Sequence, residues 1–253
     1  MPLRIAFDLD GVLADMDSAL LQQAEALFGA AVTRKSQSPS TPGTSPAGDV
    51  ASGASDAVEP DPAEGPAEVT PPIVQLNLSP RQQRRLWRHV TQIENFWQSL
   101  DEIEPGTIAR IAQLAERQRW EVIFLTKRPQ TAGATAQVQS QRWLESKGFP
   151  LPSVYVVQGS RGRIATALSL DVVIDDRPEN CFDIVVDSQA KPILVWRDRR
   201  EALPTAAQRL GISIVSTVAE CLNILEKAGT QPSATSMLQR VRRLFGLKET
   251  EDA

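Results

Sequence analysis

Six short apolar runs punctuate the chain: Leu3 to Phe7, Val122 to Leu125, Val154 to Val157, Val172 to Ile174, Ile193 to Trp196 and Ile212 to Val215. Between them, apolar positions recur at spacings of three and four, the mark of helices with one buried face. These helical patterns fall at Met16 to Ala30, Pro80 to Gln98, Thr107 to Gln118, Thr135 to Lys147, Ile164 to Leu168, Asn180 to Ser188, Thr205 to Leu210 and Val218 to Ala228. Gly106 and Gly148 supply start and stop punctuation. Short β-rich runs alternating with helices read as βαβ units, so the pattern predicts an α/β protein built on a parallel sheet flanked by helices.

One segment breaks the pattern. Ser36 to Pro72 is rich in Pro, Ser, Gly, Thr and Ala, has no aromatic, Leu or Ile, and carries acidic residues without basic ones. It cannot bury enough apolar surface to offset its ordering entropy and is expected to be disordered. Because it interrupts the helical region after the first strand, the chain divides into an α/β core at 1–16 and 100–228 and a small helical cap at 17–99 that contains the disordered segment 36–72. Residues 229–253 are expected to form a flexible linker and a C-terminal amphipathic helix. In Ser236 to Leu247, Met237, Leu238, Val241, Leu244 and Phe245 share one helical face, while Gln239, Arg240, Arg242 and Arg243 make the other polar and mostly basic. Such a helix can lie on an anionic membrane or a partner; packing on its own domain is the simpler expectation.

Composition narrows the function classes. With 253 residues, 42% of them hydrophobic, no run is apolar for long enough to span a membrane. A strand-like run begins almost at once, with no export leader, which points to a cytoplasmic protein. The formal charge of -4 and pI near 5.2 argue against a nucleic-acid polymer as partner and leave a small phosphorylated molecule open. Cys181 and Cys221 lack metal-ligand spacing and read as packing residues. His89, the single histidine, has no candidate nucleophile near it in sequence.

Ligands of open α/β sheets bind beyond the carboxyl ends of the strands, and four of the runs end in polar chemistry. The first runs into FDLDGVLAD, which puts Asp8 and Asp10 two residues apart and so on one side of an extended chain. Two carboxylates forced together call for a cation, and Gly11 allows a tight turn whose N–H groups can approach an anion. The second, VIFLTKRP, delivers the Thr126 hydroxyl, followed by Lys127 and Arg128. After the third comes QGSRGR, with Arg161 and Arg163 at a helix entry suited to anions. The fourth ends VVIDDRPEN, with Asp175 the better direct metal ligand and Asp176 close behind or acting through water. Each ending alone is ordinary turn chemistry; four in this order on four strands read as a site.

That order resembles the haloacid dehalogenase-like hydrolases, whose motifs are a DxDG segment, a strand-terminal Thr or Ser, a Lys or Arg, and a late acidic pair. The resemblance covers residues 1–16 and roughly 100–225 and implies a Rossmann-like core. It also implies a phosphatase that uses Mg²⁺. Asp8 would be the nucleophile that forms an aspartyl-phosphate, and Asp10 the acid and base. Asp8, Asp10, Asp175 and Asp176 would form the metal site, while Thr126, Lys127 and either Arg161 or Arg163 would hold phosphate. The acid at Asp10 favours phosphoester hydrolysis over dehalogenation. FDLDGVLAD, VIDDRPEN and the helical insert look most like the cytosolic type 5′(3′)-deoxyribonucleotidases, from which the chain departs in its Arg third motif and its long insert. A 5′-nucleotide is thus the leading substrate. A sugar phosphate or other metabolite is the enzymatic alternative, and a catalytically idle scaffold the alternative of another class. The cap aromatics Phe28, Trp87, Phe96 and Trp97 either stack on a base or, more simply, form the cap's own core.

Overall fold

The computed structural model describes residues 2–29, 76–197 and 205–230. The insert expected at 36–72 and the helix expected at Ser236 to Leu247 lie outside them.

All six predicted strands form: β1 (Arg4–Asp8), β2 (Glu121–Thr126), β3 (Ser153–Val156), β4 (Val172–Asp175), β5 (Lys191–Val195) and β6 (Ser213–Val215). They pair in one sheet of order β3-β2-β1-β4-β5-β6, parallel throughout. The strand order reverses direction at β1, the place where such sheets open a crevice at their carboxyl ends. Phe7 of β1 lies level with Phe124 of β2 and Ile174 of β4, so the three strands end side by side.

The helices are α1 (Met16–Phe28), α2 (Pro80–Val90), α3 (Thr107–Gln118), α4 (Ala136–Ser146), α5 (Arg161–Ala167), α6 (Pro178–Asp187), α7 (Thr205–Arg209) and α8 (Val218–Thr230). Two depart from the sequence reading. The helix expected over Pro80 to Gln98 ends at Val90, and a separate 3₁₀ turn covers Phe96–Gln98. The loop after β2 causes the break: Ala132 donates to the Thr91 carbonyl at 2.8 Å and accepts from Asn95 N at 2.8 Å, which holds Asn95 left-handed at φ 52°. Conversely, α5 starts at Arg161, three residues before its first apolar position. Ser160 caps it, and Gly162 packs so closely on the main chain of Asp183 in α6 that a Cβ there would overlap it.

Strand alternation sorts the core. Ile5, Phe7, Phe124, Val172 and Ile174 face one cluster with residues of α1, α2, α3, α4 and α8. Ala6, Leu125 and Val173 face the other side, with Ala165 of α5 and Ile184 of α6. Trp87, Phe96 and Trp97 are buried in the first cluster, whereas Phe28 is only partly buried and lies under the Arg85 guanidinium, 5.6 Å from its ring centre. Cys181 and Cys221 are buried and unbonded. No helix among the described residues is long and apolar enough to cross a membrane.

Candidate active site

Position along the strands dictates which side chains meet. Asp8 follows Ala6 by two residues and Asp175 follows Val173 by two, so both carboxylates leave the sheet on the α5–α6 side. There the first residue of α5 meets them: the Arg161 guanidinium pairs with Asp8 through Nη2, and its Nε lies 3.7 Å from Asp175 Oδ2. Thr126 and Arg128 lie on the Phe124 face and meet Asp10, which has passed the strand end.

The buried carboxyls are electrostatically costly. Burial pushes Asp8 well above the usual carboxylate range; Arg161 opposes this, and the charges of Asp175, Asp176 and Asp10 add to it. Burial also raises Asp175, against Arg161, the Arg177 N–H and the Asn180 amide. Asn180 donates to both Asp175 oxygens at 3.0 Å, and the Arg177 N–H to Oδ1 at 2.9 Å. Asp176 is pushed up to about 7, first by burial and then by the Asp175 charge. Three carboxyls held against their preferred charge state gain from a cation.

The donor set suits a hard divalent ion. Its ligating atoms are oxygens, and Asp176 Oδ1 is buried without a hydrogen-bond partner. Among the described residues, no three acidic, Cys or His side chains are already gathered as a metal cluster. Two carboxylates with one main-chain carbonyl do not require such a cluster. Arg161 Nε and Nη1 are likewise buried without a hydrogen-bond partner, and a phosphoryl group at the strand ends would satisfy them.

Asp10 is held differently. Arg128 Nε lies 3.0 Å from both of its oxygens, Arg128 Nη2 2.8 Å from Oδ1, and the Thr126 hydroxyl donates to Oδ2 at 2.9 Å. That hydroxyl has one hydrogen, so it serves either Asp10 or a substrate oxygen at any moment.

One residue expected near phosphate lies elsewhere. Arg163 is exposed and its Nε is 3.9 Å from Asp187 Oδ2; two positions along α5 from Arg161 it points away from the sheet. Lys127 makes no ion pair or hydrogen bond to the site carboxylates among the described residues. Arg128 and Asn180 belong to the site but were not singled out from the sequence. The signal for Arg128 was its spacing: it stands two residues after Thr126, as Asp10 stands two after Asp8.

The turn after β1 is braced from outside. Arg197 donates to the carbonyls of Gly11 and Val12 at 2.6 and 3.1 Å and to Glu104 at 2.7 Å. Glu104 accepts from Val218 N and Ala219 N at the start of α8. Burial alone would raise its pKa, but these N–H groups and Arg197 outweigh it and hold Glu104 below its ordinary range.

Comparison with known proteins finds a family whose model covers part of the chain. The model of a family described as "5' nucleotidase, deoxy (Pyrimidine), cytosolic type C protein" matches residues 59–196. That span includes Thr126, Arg128, Arg161, Asp175 and Asp176 but not Asp8 and Asp10. A crystal structure of a HAD family hydrolase from Deinococcus radiodurans R1 with bound phosphate and sodium aligns with 92% of this chain and 99% of its own, at 14% identity and a TM-score of 0.49. No curated protein matches the sequence.

Proposed function

The chain belongs to the cytosolic type C deoxy-5′-nucleotidase family, a phosphatase family, and from that premise we propose that it hydrolyses 5′-nucleoside monophosphates, with Mg²⁺ and through a phosphoaspartate at Asp8. The observation that carries the reading is Arg161: a buried guanidinium between Asp8 and Asp175 with two N–H donors left for an incoming anion.

The Asp8 carboxylate attacks phosphorus while the bond to the leaving 5′-oxygen breaks, and Asp10 gives that oxygen its proton. Water then attacks the acyl phosphate, Asp10 takes a proton from it, and inorganic phosphate leaves with Asp8 restored. Arg161 and Thr126 hold the equatorial oxygens on which charge accumulates. The Asp8 carboxylate, the Asp10 main-chain carbonyl and Asp175, with Asp176 beside them, would hold Mg²⁺, which supplies positive charge against the phosphoryl oxygens and the crowded carboxyls. Arg163 has no part in this arrangement, and Lys127, next to Thr126 at the end of β2, adds positive charge beside the phosphoryl group. The described residues 17–29 and 76–99 belong to the cap expected over the substrate, and the protein works in the cytoplasm.

Phosphate release from a panel of nucleoside and sugar monophosphates, with and without Mg²⁺, tests the proposal. Metal-dependent release that favours nucleotides and is absent in Asp8→Asn is expected. Release from sugar phosphates alone would discard the nucleotide, and release that survives in Asp8→Asn would discard the mechanism.

A further inference from the structure

Arg128 has a side chain wholly shielded from solvent, which is rare for a cation and costly unless every donor is used. Here its fork is used from all sides. Nε and Nη2 grip Asp10, and Nη1 donates to Ser140 Oγ at 2.9 Å. Its guanidinium carbon lies 5.0 Å from the Trp97 ring centre and 5.6 Å from that of Trp143. The two indoles are fixed in turn, Trp97 Nε1 donating to the Pro129 carbonyl at 2.9 Å and Trp143 Nε1 to the Leu100 carbonyl at 2.7 Å.

We infer that Arg128 is a positioning residue: clamped between Trp97 and Trp143, it sets the plane of the Asp10 carboxyl and so aims the proton of the acid–base step. The inference rests on the phosphatase reading and adds a part to it. Being fully buried behind Asp10, Arg128 does not touch substrate and acts only through that carboxyl. Nη2 lies on Oδ1 alone, Nε is shared at 3.0 Å between Oδ1 and Oδ2, and the movable Thr126 hydroxyl lies on Oδ2. Oδ2 is therefore the less tightly gripped oxygen and the one that passes the proton to the leaving oxygen once Thr126 turns to the phosphoryl group. A Lys at 128 carries the charge but not the planar fork and cannot fix the carboxyl plane.

The test is the dependence on the leaving group. An ester such as 4-nitrophenyl phosphate loses a stable anion and needs little help from an acid, whereas benzyl phosphate loses an alkoxide that must be protonated. Arg128→Lys is expected to lower kcat on benzyl phosphate by about 10²-fold, the scale of lost acid–base catalysis, and on 4-nitrophenyl phosphate by less than about tenfold. Combined with Asp10→Asn it should add almost nothing on benzyl phosphate, since both act through one group. Ser140→Ala, which leaves the ion pair in place, should shift the ratio the same way by a few fold; thermal midpoints of all variants accompany the kinetics. Equal losses on both esters, or full additivity with Asp10→Asn, would overturn the inference while leaving the phosphatase reading intact. Native protein that hydrolyses neither these esters nor any nucleoside monophosphate would overturn both. If Arg128→Lys does not fold, an unchanged ester ratio in Ser140→Ala is the overturning result.

Discussion

The carboxylate of Asp176 occupies the space into which a side chain at residue 11 would project, so Gly11 and Asp176 fit together only because residue 11 has none. Gly11 also has φ +87°, a conformation that costs any other residue. The tip of β4 therefore closes against the turn after β1, and the two acidic motifs of the site share one contact.

Gly11→Ala is expected to suffer twice, through backbone strain and through displacement of Asp176. Its stability should fall by more than about 1 kcal/mol, and its phosphatase activity by at least about tenfold. Thermal unfolding and steady-state kinetics on the same preparation check both losses.

Removing the Asn180 amide strips two hydrogen bonds from Asp175. Groups that orient a ligating carboxylate typically contribute 10- to 100-fold to metal affinity. Asn180→Ala should accordingly need about that much more Mg²⁺ for half-maximal activity, with a smaller change in kcat at saturating metal.

The folded-state pKa of Asp176, near 7, lies above its ordinary value of 3.8. Between those values the folded protein holds the proton more tightly than the unfolded chain does, so this group's contribution is present at low pH and lost as pH rises toward 7. Without metal, Asp176→Asn is expected to raise the thermal midpoint more at pH 8 than at pH 4, and a scan of both proteins across that range reads the difference.

The two arginines of α5 should separate cleanly. Arg161→Ala removes the buried guanidinium beside Asp8 and is expected to lower kcat/KM by about 10²- to 10³-fold. Arg163→Ala removes an exposed side chain whose pair with Asp187 is worth little, and its kcat/KM should stay within about twofold of native.

Much of this was legible along the chain, for particular reasons. The strands announced themselves because both faces of a covered parallel sheet are apolar, and Thr107–Gln118 carries a full amphipathic period. The strand-end acids were visible as a cluster, but the shared side expected of Asp8 and Asp10 does not form, because β1 ends at Asp8 and Asp10 turns to Thr126 and Arg128 while Asp8 turns to Arg161. What stayed hidden depends on contacts distant in sequence. The break after Val90 is set by hydrogen bonds to Ala132, which leave no local pattern, and the early start of α5 by the Ser160 cap together with Gly162 packing on α6. The choice between Arg161 and Arg163 turned on helix phase, and α5 could not be phased before its start was known. Arg128 received no role because its partners, Trp97 of the 3₁₀ turn and Ser140 and Trp143 of α4, come from two other segments.

The most direct test of the central claim is the covalent step. Protein mixed with a nucleoside monophosphate and Mg²⁺, quenched in acid within the first turnover and digested, is expected to yield a peptide containing Asp8 that is heavier by one phosphoryl group, labile to hydroxylamine and missing from Asp8→Asn. An adduct on another residue, or rapid turnover with no adduct at any quench time, would contradict the role assigned to Asp8.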